Sequence, residues 1–575
     1  MAGRLTARVF PRVGVMWKNM TLAHVIMAAV AALVCFLVLY PILTVVHGSF
    51  QSVDSWGDPT GYSLVNYSRL LKPRYLTTIT NTLIVSTGTC ALAGFLGVTL
   101  AWISARTNSF GHRYLEPFNL IPFYLSPLIG AIAWTFLASP SIGFLNQFAT
   151  NVLGFSSPPF NIYSLSGIIW VLGLFYAPYM YLFTIGSLQK MDPALEDAAR
   201  TAGAGVLETT LRVTLPLTLP GILFGLSLTF VTSMGGFAVP AALGIPVKID
   251  VLASVIFTFV ESDSPDFGMG ATLGMIIFAF TLITFIVQRR MILRREFTTV
   301  TGKGFRPNVV DLGKWRYATF GFHLFFVLTA VAMPILAIFL VSISQLWTGT
   351  PDFSNLTLEN FHWVLFVYPV TQRGIVNSLF LSFVGATLGM ALCFVLAYVV
   401  HKLQGKVKSA LDLVATLPIS MPSIVLAMGI LIAYIKTPLY MTIWIVLLAY
   451  ITRYIPVGVR TVSAVLLSIS QELEDSSTIC GAPWLTTVRR ILFPLLKPGL
   501  LAGWLLLFLI FMRELNASIL LYSAGNEVMA VVLFFLLEDA PLPQIAAYAM
   551  IQTIMILVIV FFVRRLAAVD EETAT

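Results

Sequence analysis

Two stretches of this chain set acids, a glycine and prolines at matched spacing. In the first, Glu196, beside Asp197, precedes Gly203 by seven residues, and Pro216 and Pro220 follow. In the second, Glu474, beside Asp475, precedes Gly481 by seven residues, and Pro494 and Pro498 follow. Adjacent carboxylates suit a helix N-terminus, where the macrodipole favours negative charge. The glycine permits a turn or a close backbone approach. Between glycine and proline, Leu207, Leu211 and Val213 in one copy, and Trp484, Val488 and Ile491 in the other, read as a short amphipathic helix. One such segment is an ordinary interfacial helix; two at matching positions point to a shared partner with two matching surfaces. A second set of polar groups lies inside apolar runs. It comprises Arg453, Arg460 and the adjacent Arg513 and Glu514, with Asn516 just beyond. Charges inside apolar spans are costly and mark ligand paths or ion pairs between helices.

Neither set performs covalent chemistry. Cys35, Cys90, Cys393 and Cys480 lack CxxC or zinc-finger spacing, and the six histidines contain no HExxH. A metal site is not expected. Neither GxSxG nor a pair of intramembrane aspartates supports a membrane-embedded enzyme. A nucleotide loop is missing too, since "TGKGFR" (301–306) lacks both the spacing and the Ser or Thr of GxxxxGK[ST].

The surrounding sequence must place these groups in lipid. Of 575 residues, 58% are apolar and 10% charged, against about 25% charged in soluble domains. Twelve runs are long enough to span a bilayer. In the first half they lie near 22–46, 77–104, 116–138, 164–188, 216–238 and 269–289. In the second they lie near 320–344, 375–400, 409–433, 439–467, 498–520 and 545–564. The apolar pieces 249–260 and 528–537 are shorter and read as re-entrant or interfacial segments on the outer side. Arg4, Arg8, Arg12 and Lys18 precede the first run, which is longer than a secretory h-region. Most of the 34 lysines and arginines fall on the side of that N-terminus, which predicts cytoplasmic termini and cytoplasmic polar segments. This placement explains the net charge of +8 without nucleic acid. The basic stretch "RRMILRREFTTVTGKGFRPN" (289–308) reads as a topogenic linker.

The order of features then starts again. Asn81 matches Asn377 and Pro122 matches Pro418, while Glu196, Gly203, Pro216 and Pro220 match Glu474, Gly481, Pro494 and Pro498. Six spans per half insert both halves in the same orientation, so the repeat is parallel. The expected fold is an all-α polytopic membrane protein, about twelve helices in two parallel six-helix repeats, with a pore or binding site between them. Tyr176 matches Tyr454, and Gly235 and Gly236 match Arg513 and Glu514. Counted from Pro498, Arg513 and Glu514 lie roughly 22–24 Å along a helix, in the outer half of the membrane. They read either as a polar gate or transit site, or as a tie between spans or contact at the outer rim. Arg453 reads equally as a pathway or a packing residue, Arg460 as a snorkelling structural group, and Tyr176 and Tyr454 as cavity lining or aromatic packing.

The pattern Glu196-x-Ala198-x₄-Gly203, followed by Leu215-Pro216-x₃-Pro220, resembles the EAA motif of ABC importer permeases. The second copy keeps Glu474, Gly481, Pro494 and Pro498, with Ser476 and Ser477 in place of alanines. The resemblance covers about 77–290 and 373–565 and implies two fused type I permease halves. It divides the chain into a cytoplasmic segment (1–21), a first half (22–290), a linker (291–319), a second half (320–566) and a tail (567–575). It implies that Glu196, Asp197, Ala198, Gly203, Pro216, Glu474, Asp475, Gly481 and Pro494 couple the chain to two copies of a cytoplasmic ABC ATPase. ATP and Mg would sit on that partner, and this chain would bind no cofactor. Outer loops of about 30 residues are too short to capture substrate, so a separate periplasmic binding protein is implied. The segments "AWTFLASPSIGFLNQF…SPPFNIYSLSG" (133–167) and "MRELNASILLYSAGNEV" (512–528) are similar to ferric iron uptake permeases of the bacterial inner membrane. Asn516 and Ser518 depart from the K-E-L-P-A-T often found there. Related permeases carry thiamine, phosphonates, sugar phosphates or polyamines. An ion-coupled secondary transporter is the rival class, but it would need no twin docking segments.

Overall fold

A computed structural model describes residues 22–53, 59–293, 309–467 and 469–574. The basic N-terminal segment lies outside the described residues, as do Arg294, Arg295, Lys303 and Arg306 of the linker. The first half contains α1 (Leu22–Ser49), α2 (Pro73–Arg106), α3 (His112–Tyr124), α4 (Pro127–Ala138), α5 (Leu165–Lys190), α6 (Ala194–Thr201), α7 (Val206–Met234), α8 (Ala238–Val247), α9 (Leu252–Glu261) and α10 (Phe267–Leu293). The second contains α11 (Trp315–Ser342), α12 (Pro369–Lys402), α13 (Gly405–Ser420), α14 (Ser423–Tyr434), α15 (Ile443–Leu466), α16 (Gln471–Ile479), α17 (Trp484–Met512), α18 (Met529–Asp539) and α19 (Leu542–Ala574). One small antiparallel hairpin, Gln51–Val53 with Pro59–Tyr62, follows α1. Ten of the described helices are long and apolar enough to cross a membrane, and three bent pairs pass the same test together.

The bent pairs correct two of the expected spans. Residues 116–138 and 409–433 each read as one helix, but α3 and α4 meet at 106°, and α13 and α14 at 107°. Proline explains both breaks. Pro127 and Pro422 donate no backbone hydrogen bond and hold the preceding residue in extended conformation. Ser126 and Met421, the residues before these prolines, have ψ of 135° and 107°. The Ser126 hydroxyl then accepts from Leu128 N and restarts the helix. Apolar periodicity cannot report such a bend, because both limbs remain apolar.

Proline acts differently where the polar segments enter their next spans. The sequence reading ended a short amphipathic helix there, but α7 and α17 run continuously past Pro216 and Pro494. Each contains a five-residue π turn, Thr210–Thr214 or Val488–Leu492, ending two residues before its proline. A proline ring clashes with the carbonyl four residues back. The wider π turn moves that carbonyl aside, so the helix continues. The same arrangement recurs in α11, where Leu328–Ala332 precedes Pro334.

Packing reproduces the repeat. In the first half α2, α5 and α7 form a bundle, as do α12, α15 and α17 in the second. Each half's first helix lies on the other half: α1 packs along α14, and α11 along α4. The short helices α9 and α18 are pinned identically. Leu252 N donates to Thr82 Oγ1 at 2.9 Å, and Met529 N donates to Ser378 Oγ at 2.8 Å. The neighbouring amides of Asn81 and Asn377 donate to the carbonyls of Asp250 and Glu527 at 3.1 and 2.9 Å. Replacing Thr82 by Val, or Ser378 by Ala, leaves a buried N–H unpaired. Each change is expected to cost about 1–3 kcal/mol. Thermal unfolding in detergent, with amide exchange followed at Leu252 and Met529, checks this.

Candidate functional site

Each polar segment folds as a short helix, a left-handed glycine and a long helix. Gly203 has φ +93° and Gly481 φ +76°, a region that side chains rarely adopt. Glu196 and Asp197 lie in the first turn of α6, and Glu474 and Asp475 early in α16. Asp197, Ala198 and Asp475 face outward. Glu196 turns inward and is 2% exposed. Its Oε1 accepts from Thr214 Oγ1 at 2.6 Å, and its Oε2 lies 3.5 Å from Arg106 Nε, a contact of charges without hydrogen-bond alignment. Arg106 is itself buried and donates to the Leu188 carbonyl at 2.8 Å. One carboxylate thereby joins α6 to the end of α2 and the start of α7.

The second copy repeats this plan more loosely. Lys402 holds the repeat position of Arg106, and its Nζ is 2.9 Å from Glu474 Oε2. The Tyr398 hydroxyl donates to the same oxygen at 3.0 Å. The Lys402 and Glu474 side chains are 30% and 12% exposed, against 1% and 3% for Arg106 and Glu196. Leu492 replaces Thr214, so no hydroxyl is available there. Around both copies leucines stay exposed, among them Leu195, Leu207 and Leu211 in the first and Leu473 and Leu485 in the second.

The intramembrane polar residues gather around one cavity of about 1020 Å³ between the halves. Tyr176, Gly235, Arg453, Tyr454, Arg513, Glu514 and Asn516 all line it. Gly236 lies behind the lining, where an added Cβ would sit 3.7 Å from the Tyr176 hydroxyl. The sequence reading placed Arg513 and Glu514 within a span, but α17 ends at Met512 and Arg513 is its C-cap. Arg460 sits apart, on Asp412 at 3.4 Å.

Both cavity arginines serve the helix breaks. Arg513 donates to the carbonyls of Phe123 and Leu125, the second at 3.2 Å, and to the Tyr179 hydroxyl at 2.9 Å. Its guanidinium carbon stands 4.7 Å from the centre of the Phe123 ring. Arg453 donates to the Pro418 carbonyl, and through Nε to Ser423 Oγ at 3.2 Å. Pro122 and Pro418 are repeat partners, so each break has its own guanidinium. The two arrive by different routes, since Arg453 belongs to the half it serves and Arg513 reaches across. Glu514 accepts from the Tyr454 hydroxyl at 2.5 Å and from Ala517 N at 3.2 Å. Asn516 Oδ1 crosses the junction and accepts from Phe237 N at 3.0 Å. Gly235, at the repeat position of Arg513, abuts the other break: its Cβ would lie 2.1 Å from Pro422 Cβ. Sequence reasoning missed Tyr179 and Phe123. Tyr179 follows Pro178, the repeat partner of Pro456, and that pairing was the available signal.

The model of the binding-protein-dependent transport system inner membrane component family matches residues 93–296 and again 389–570. A ferric transport system permease protein of Actinobacillus pleuropneumoniae, FbpB, is 25% identical over 543 residues, covering 93% of this chain and 77% of that protein. An Fe(3+)-transport system permease protein of Haemophilus influenzae, FbpB 2, is 22% identical over 506 residues, covering 87% and 91%. Among solved structures, a bacterial ABC transporter that imports the polysaccharide alginate aligns with a TM-score of 0.42 and 18% identity, over 49% of this chain and 99% of that one. The two family matches coincide with the two structural repeats, and the chain therefore belongs to the binding-protein-dependent ABC importer permeases, with two permease units in one polypeptide.

Proposed function

We propose that this chain is the membrane-embedded part of an ATP-driven importer for ferric iron in a bacterial inner membrane. Both termini and both coupling loops face the cytoplasm. Two copies of an ABC ATPase dock on the loops and carry the ATP and Mg, and this chain contributes no nucleotide site and no cofactor. A periplasmic binding protein delivers cargo at the opposite face. The observation that carries this reading is the continuity of α7 and α17. Each begins at a coupling loop and is capped at its far end by a cavity residue, Gly235 or Arg513. At 1.5 Å per residue, a helix of 29 residues spans about 44 Å. A push on the loop reaches the cavity through one rigid element, since Glu196 ties α6 directly to Thr214 near the π turn. ATP-driven closure of the ATPases would thus open the cavity outward, and hydrolysis would return it to the cytoplasm. The similarity to ferric transport permeases, over 93% and 87% of this chain, supports iron as the cargo.

The test is reconstitution in liposomes with an ABC ATPase and a binding protein that co-purify with this chain. Uptake of radioactive iron should require all three components and ATP. Uptake driven by an ion gradient, with the permease alone, would overturn the reading. The two loops should also respond unequally. Glu196→Gln leaves the buried Arg106 without its carboxylate and is expected to cost about 3–5 kcal/mol of stability. Glu474→Gln acts on a partly solvated pair and should cost about 1 kcal/mol or less. Melting curves measure the stabilities. ATPase stimulation by loaded binding protein should fall further in Glu196→Gln.

A further inference from the structure

The charge on the cavity wall does not suit a bare trivalent cation. Two guanidiniums, Arg453 and Arg513, face one carboxylate, Glu514, and no other acid, histidine or cysteine is among the described lining residues. Arginine stays protonated under all ordinary conditions. The carbonyls of Phe123, Leu125 and Pro418 orient these guanidiniums, but as dipoles they cancel no charge. Each oxygen of Glu514 already accepts a hydrogen bond, from Tyr454 or from Ala517 N. The wall thus carries one net positive charge in surroundings of low dielectric, where like-charge repulsion is strong. Elsewhere among the described residues no three His, Cys, Asp or Glu side chains gather as metal ligands.

Size points the same way. Sites for organic ligands have volumes of about 300–1,000 Å³, lined by apolar and aromatic groups with a few fixed polar ones. A cavity of about 1020 Å³ walled by Phe123, Tyr176, Tyr179 and Trp504 matches that description. Each guanidinium has five N–H donors, and the bonds named above use only some of them. Charge-assisted bonds from arginine to carboxylate or phosphonate oxygens are the strong kind.

We infer that the cargo crosses this cavity as an oxyanion-bearing organic solute, free or wrapped around ferric iron as an anionic chelate, with Arg453 and Arg513 setting that preference. This rests on the importer reading and narrows its substrate class.

The purified permease, in an uncharged detergent, can be titrated with three probes: anionic ferric–EDTA, iron-free citrate, and ferrioxamine B, a cationic ferric complex of organic size. Ferric–EDTA should bind at least about tenfold more tightly than ferrioxamine B, and its affinity should fall as salt rises. Arg453→Gln and Arg513→Gln should each weaken it about tenfold or more, and the lysine variants, which keep the charge but lose the planar fork, should weaken it less. Equal binding of the cationic complex, no binding of either anion, or indifference to both Gln variants in protein that melts normally overturns the inference. The probe series on unaltered protein decides the question even if the variants fail to fold. Citrate binding as tightly as ferric–EDTA leaves the anion preference standing and counts against iron as cargo. ATP-driven iron uptake without any anion preference does the reverse.

Discussion

A backbone carbonyl released from its helix at membrane depth must find a partner within the protein or its cavity, and leaving it unpaired costs several kcal/mol. The centre of this molecule is arranged around that constraint. Bending α3–α4 and α13–α14 by more than 100° opens room for a cavity; it frees the carbonyls of Phe123 and Leu125 and leaves that of Pro418 with one long backbone bond, from Met421 N at 3.3 Å. Arginine answers the need, because its planar group can serve several acceptors at once. Arg453 and Arg513 are thus placed by backbone geometry before any ligand is considered. The positive wall of the cavity follows from the way its bends are capped.

The same economy governs the prolines. In the bent pairs, proline breaks a span; in α7, α11 and α17 a π turn absorbs it and the helix stays whole. One residue type therefore produces both the fixed corners of the cavity and the continuous rods that reach it.

Much of this was legible in the sequence. Duplicated landmarks such as Asn81 with Asn377 and Glu196 with Glu474 carry the repeat, and both asparagines do the same work in the fold. The residues drawn to the cavity were also visible, since Arg453, Arg513 and Glu514 stand out against apolar neighbours. What the sequence hid was direction. Hydropathy averages over a turn, so it merged the limbs at Ser126 and Met421 and carried a span past Met512. Nor could it tell that Glu196 points inward while Asp197 points out, because neighbours on a helix are 100° apart and only tertiary packing selects the buried one. The looser partners of Glu474 were equally hidden: Lys402 lies 72 residues before it, at the end of another helix.

The exchange of first helices bears on how such a chain is made. The Thr44 hydroxyl of α1 donates to the Gly429 carbonyl of α14 at 2.8 Å, across 385 residues of sequence. At about 5–20 residues per second, α1 emerges from the ribosome roughly 20–80 s before the surface it will hold. It can wait because only 22% of its most apolar window is buried in the finished molecule, at a mean hydropathy of 2.7. Lipid is an adequate neighbour for the rest. The first helix is thus a membrane anchor during synthesis and becomes the clasp of the second half only after translation has passed it.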